Sequence, residues 1–154
     1  MQLRAGSEKF STLTACLQSP LLLVVRLYWG WAFFATGKAA LLHLDRTTRY
    51  FVSIDIPLPQ LNAILAGGAE CLGGLLLLLG VFSRASSALL VFVMSVAYAM
   101  GERASLRALF NDPDKFTSAP PFLFLSAALL VLAFGPGKFS LDHFWSKKNS
   151  GPSS

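Results

Sequence analysis

Apolar residues along the chain do not alternate in short patches but gather into four long blocks, at residues 20–42 (PLLLVVRLYWGWAFFATGKAALL), 61–82 (LNAILAGGAECLGGLLLLLGVF), 85–101 (ASSALLVFVMSVAYAMG) and 119–135 (APPFLFLSAALLVLAFG). A helix that crosses a hydrocarbon core of about 30 Å needs roughly 20 predominantly apolar residues. The first block passes despite Arg26 and Lys38, and the second passes with Glu70 as its only charge. The third and fourth are shorter but uncharged, with interfacial aromatics to lean on. The pattern predicts an all-α integral membrane four-helix bundle with both termini on one side.

The connections predict the rest. Residues 43–60 (HLDRTTRYFVSIDIPLPQ) carry Tyr50, Phe51, Val52, Ile54 and Ile56, too apolar for a loose linker, while Pro57 and Pro59 prevent regular helix just before the second span. This stretch reads as a lid on the outer mouth. The second connection shrinks to Ser83-Arg84, a tight antiparallel hairpin. The third, residues 102–118 (ERASLRALFNDPDKFTS), starts as a helical continuation with Leu106, Leu109 and Phe110 on one face and breaks at Asn111-Asp112-Pro113. The outer surface is the larger and the expected place for selectivity.

Beyond the last span, Gly135, Pro136 and Gly137 end the helix, Phe139, Phe144 and Trp145 are expected in the headgroup zone, and Asp142 is expected to accept from nearby backbone N–H groups. Residues 146–154 read as a solvated tail and residues 1–19 as a lead. Within that lead, residues 9–18 (KFSTLTACLQ) either lie on the membrane surface or stay flexible. Arg26 and the length of chain before the first block argue against a cleaved signal peptide. The domain proper spans residues 20–145.

Composition agrees with the pattern. The 154 residues are 54% hydrophobic and 14% charged, with a mean hydropathy of +0.57, where soluble domains carry about 25% charge. The net charge of +5 is spread over both faces with no dense basic cluster among aromatics, so lipid headgroups are the expected partner and nucleic acid is not. Arg4, Lys9, Arg84, Lys138, Lys147 and Lys148 on the side of the termini outnumber Arg46, Arg49, Arg103, Arg107 and Lys115 on the other, which tilts the termini toward the cytoplasm. The two cysteines, Cys16 and Cys71, make no disulfide framework and lack metal-ligand spacing, so no metal is expected. No P-loop, GxSxG, HExxH or CxxC is present.

Candidate chemistry lies within the apolar blocks. Without a hydrophobic drive between helices, small residues let membrane helices approach. Gly30 and Gly37 share a stripe with Arg26 and Phe33, and Gly67 and Gly74 share one with Glu70 and Leu77. These two faces should meet with the charges between them. At about 1.5 Å per residue from the inner edge, Arg26 lies roughly 9 Å deep, Glu70 roughly 18 Å and Lys38 roughly 27 Å. Arg26 and Lys38 both remain candidates to pair with Glu70, and Glu102 could take Lys38. An intramembrane carboxyl is costly and needs a reason. Glu70 is either a paired or protonated strut that fixes helix register, or a group that shuttles a proton or holds a quinol hydroxyl.

The remaining polar candidates are weaker. Cys71 reads as a packing residue, with a redox role as the sharper reading. Tyr98, on a face with Ser87, Met94 and Glu102, is either core or an interior hydroxyl. His43 reads as solvated, and Trp29 and Trp31 lie deep enough to pack on neighbouring helices.

Three stretches together resemble the DoxX family of small four-helix bacterial membrane proteins: RLYWGWAFFATGKA (residues 26–39), AGGAECLGGLLLLLGVFSRASSALL (66–90) and GPGKFSLD (135–142). The resemblance covers roughly residues 20–145 and implies a bacterial inner-membrane protein, linked in some members to quinone-dependent oxidoreductase assemblies. It carries over Arg26, Lys38, Glu70 and Arg84 as functional or structural polar positions. The expected function is a redox-associated subunit that engages a quinone or a proton path beside a partner oxidoreductase. The alternative is a non-enzymatic carrier or scaffold around a structural ion pair. A polar path through the bundle would favour the carrier, and a dry bundle the scaffold. The apolar surface leaves self-association in the membrane open.

Overall fold

The computed structural model describes the backbone of residues 2–135, 137 and 140–142, with side chains from residue 18 onward. Among the described residues the helical elements are, in order, α1 (Gln2–Leu42), α2 (Leu44–Ser53), α3 (Pro59–Leu79), α4 (Ser83–Met100), α5 (Arg103–Arg107), α6 (Pro113–Ser118) and α7 (Pro120–Phe134). There is no strand among the described residues. Residues 18–42 of α1, together with α3 and α4, are long and apolar enough to cross a membrane. The fourth block forms α7, apolar but only 15 residues long, roughly 22 Å. This is the all-α membrane architecture that the blocks predict.

Phe33 of α1, Leu77 of α3, Leu90 and Met94 of α4, and Ala128 and Val131 of α7 form the core. The closest helix pair is α1 with α3, and its glycines explain why. A Cβ added at Gly37 would run into the backbone nitrogen of Cys71, and one at Gly74 into that of Phe34. At Gly30 it would come within 2.8 Å of the Leu78 nitrogen. The helices touch backbone to backbone along the predicted stripes, where dispersion contacts are densest.

Several boundaries differ from the hydropathy pattern. The residues before Pro20 continue α1 without a break, so the first span is one end of a longer helix; the ring of Pro20 merely removes one backbone donor. The second connection is Gly80-Val81-Phe82, while Ser83 and Arg84 open α4. Gly80 ends α3 in the left-handed region at φ 72° with its N–H on the Leu76 carbonyl, the glycine C-cap that apolar counting cannot see. Phe82 is also left-handed, at φ 48°, which costs a side-chain-bearing residue about 1 to 2 kcal/mol.

The first connection is an ordered helix, α2, lying against α3. The Tyr50 hydroxyl reaches the end of α4, where a Cβ on Gly101 would meet it at 2.7 Å. Pro59 opens α3 at its first turn, where a missing N–H costs nothing. The third connection splits into α5 and α6, the latter capped by Asp112, which accepts from the Lys115 N–H at 3.2 Å. Leu106, Leu109 and Phe110 stay exposed, Phe110 by 90%. Trp29 packs edge-on against Phe124 of α7, but Trp31 is exposed and turned from the bundle, because a one-residue step rotates it about 100° from Gly30. The expected headgroup aromatics Phe139, Phe144 and Trp145, the tail at 146–154 and the side chains of residues 1–17, Cys16 included, lie outside the described residues.

Candidate functional site

Helix register decides which charges can meet. Gly30 lies against Gly74 and Leu78, Gly37 against Gly67 and Cys71, and Arg26 against Gly80. Glu70 therefore stands level with Thr36 across the α1–α3 pair, and the Thr36 hydroxyl donates to the Ala32 and Phe33 carbonyls of its own helix, both at 3.0 Å. Arg26 lies at Gly80, ten residues or roughly 15 Å along α3 from Glu70, too far to pair with it. The depth reckoning placed Glu70 midway between the two cations because it took residue 20 as the start of the first helix. Since α1 runs on to Gln2, it is free to slide along α3, and Arg26 sits at the α3–α4 turn. Lys38 is close to Glu70 in height but points away from the bundle and is exposed. Among the described residues no basic side chain makes an ion pair with Glu70. Glycine stripes predict which faces meet; they do not fix the register.

Arg26 is buried, 3% exposed, beneath Gly80, where a Cβ would come within 2.7 Å of its guanidinium. The charge that faces it is Asp142. The same carboxylate accepts from the Phe82 N–H at 2.8 Å and the Ser83 N–H at 2.9 Å, and the Asp142 N–H donates to the Gly80 carbonyl at 3.1 Å. Asp142 does accept from backbone N–H groups as expected, but at the start of α4, where helix N–H groups lack partners and the dipole favours an anion. Arg84 lies over the other end of this arrangement, with its guanidinium beside Gly135 at the end of α7, where a cation is favoured. Gly137 rests on Ser19 and Leu22 of α1. The closing segment thus ties α1, α3 and α4 together on the face of the α3–α4 turn.

A buried, largely apolar layer separates the two polar regions, with the buried Ser87 hydroxyl one turn from Leu90. Phe33, Leu77, Leu90 and Val131 have at most 1% of their surface exposed, between Arg26, Ser83 and Asp142 on one side and Glu70, Thr36 and Tyr98 on the other. Tyr98 is buried, donates to the Phe116 carbonyl at 2.9 Å and stacks on the Phe116 ring, which locks α6 over the bundle. Glu102 accepts from the Ser105 hydroxyl at 2.9 Å. Cys71 is a half-buried free thiol on the α3 face against Gly37. His43 is exposed at the α1–α2 corner, in a shallow open depression with Asp45, Arg46 and Arg49, away from Glu70. Tyr98→Phe is expected to lower stability by about 1 kcal/mol, one buried hydrogen bond, with faster amide exchange confined to α6.

Sequence reasoning missed Thr36, which helical periodicity places at the edge of the glycine stripe and which gains meaning only from register. It also missed that Arg26 and Asp142, 116 residues apart, answer each other.

The DoxX family model matches residues 21–103. The chain belongs to the DoxX family. The DoxX match runs from α1 to the first residue of α5 and includes Arg26, Lys38, Glu70 and Arg84, while Asp142 lies beyond it. The inner membrane protein YphA of Escherichia coli (strain K12) is 28% identical over 123 residues, 79% of this chain and 88% of that relative. No solved structure matches the chain. As a DoxX protein it is an integral membrane protein, and the four carried-over positions divide between two places: Arg26 and Arg84 at the turn held by the closing segment, Glu70 and Lys38 in the opposite half.

Proposed function

We propose that this DoxX-type bundle is a multi-pass protein of the bacterial inner membrane, termini in the cytoplasm, that works beside a partner oxidoreductase, with Glu70 meeting a quinone headgroup or a proton. The observation that carries this reading is the state of Glu70. It is half-buried in a membrane helix beside Thr36, and among the described residues no cation pairs with it. An intramembrane carboxyl is expensive, and here no ion pair offsets the expense. A carboxyl in that state retains capacity to accept a quinol O–H or to donate to a quinone carbonyl. Redox equivalents would come from the partner or the quinone. The similarity to an inner membrane protein supports the location, and the buried, largely apolar layer disfavours a path for a solute through the bundle.

Glu70→Gln keeps the shape and removes the titrating group. Quinone-dependent turnover of the purified complex is expected to fall about 100-fold, the lower range for loss of a positioned proton-transfer group. Unchanged turnover would sink the proposal. The scaffold reading draws on a different observation, the engagement of Arg26 by the closing segment, which gives that charge a structural task.

A further inference from the structure

The structure also bears on how Glu70 is reached. Phe124 of α7 packs between Trp29 and Phe33 of α1, with ring centroids 5.0 and 4.8 Å away. Pro120, the first residue of α7, lies one turn before it and thus level with about residue 35 of α1. Beyond that height α1 has no α7 beside it, although α1 itself continues to Leu42 and α3 reaches Pro59. The surface records this step: Phe33 is fully buried, whereas Thr36 is exposed and Glu70 half-buried beside it. At this height α1 and α3 are both within the stretches long and apolar enough to cross a membrane. On the side of the α3–α4 turn, fully buried Phe33, Leu77 and Leu90 fill the bundle. Toward the loops, Tyr98 and Phe116 stack and hydrogen-bond across the mouth.

We propose that Glu70 is reached sideways from the lipid phase, past Thr36 and the head of α7, by a lipid-dissolved molecule with a hydrogen-bonding head. This deepens the reading of Glu70 given above, but its test needs no turnover. A carbodiimide reports it directly. The carboxylic acid O–H adds across one C=N bond, its proton going to nitrogen and its oxygen to the central carbon. Migration of the acyl group to nitrogen then leaves a stable N-acylurea, with no leaving group and no change of oxidation state.

The full-length protein in phosphatidylcholine vesicles is treated with dicyclohexylcarbodiimide or with a water-soluble carbodiimide bearing a charged ammonium group, and the Glu70 peptide is followed by mass spectrometry. The lipid-soluble reagent should label Glu70 about tenfold faster or more, since the charged one would have to leave water. Thr36→Phe, checked for folding by gel filtration, should slow the labelling by a similar factor by filling the approach, whereas Leu72→Phe, on an exposed position of α3, should not. Equal or faster labelling by the water-soluble reagent overturns the proposal by showing an aqueous route, and no adduct from either reagent overturns it by showing a covered carboxyl. If Glu70 is labelled as expected while Glu70→Gln leaves turnover intact, lateral access stands and the quinone reading falls.

Discussion

Gly37→Ala is expected to destabilise the bundle by about 3 kcal/mol, the upper part of the usual range for overpacking, although alanine is the smallest change available. The added Cβ would collide with the Cys71 nitrogen and stand 2.7 Å from the Gly67 carbonyl oxygen. Both are backbone atoms of α3, so no rotamer can relieve the contact. The two helices would have to separate along their whole interface, loosening Gly30 against Leu78 and Gly74 against Phe34 as well. Gly68→Ala is the matched control. It lies on the same helix, but a Cβ there meets nothing within 4 Å, and the gain in helix propensity is worth about 0.5 to 1 kcal/mol. Thermal or denaturant unfolding in detergent should show a large loss for the first variant and none, or a small gain, for the second. Equal behaviour would mean that α1 and α3 are not packed backbone to backbone.

The second large effect is at Asp142. Replacing it with alanine removes the acceptor of the Phe82 and Ser83 N–H groups and the charge that faces buried Arg26. Each hydrogen bond to a charged acceptor is worth about 1.5 to 3 kcal/mol, and two are lost together. The left-handed Phe82 would also lose the bonds that hold it. Unfolding should therefore shift by about 3 kcal/mol or more, with faster amide exchange at Phe82 and Ser83. Arg26→Met in the same background should recover part of the loss, because the charge that Asp142 faces goes with it. If the double variant is no more stable than Asp142→Ala alone, the two residues do not act as a pair.

The comparison of sequence with structure turns on a few residues. The spans were legible because apolar runs of membrane length have few other uses, and the α1–α3 contact because glycines seven apart mark a stripe that lets backbones approach. Position along that contact was not legible, since a seven-residue repeat can slide by a turn and keep glycine against glycine. That slide separates Thr36 from Arg26 as the neighbour of Glu70. Left-handed Gly80 and Phe82 placed the hairpin three residues earlier than hydropathy did. Asp142 could be read as a capping residue, but its partner helix could not, because the contact spans 60 residues and no local pattern encodes it.

That long contact bears on how the protein is made. The α3–α4 corner leaves the ribosome before Asp142, so the Phe82 and Ser83 N–H groups at the start of α4 await their acceptor until late in synthesis. Water or lipid phosphate at the membrane surface has to serve in the meantime. Completion of the corner therefore waits for Asp142. A chain truncated before residue 142 would leave the Phe82 and Ser83 N–H groups without the carboxylate that caps them.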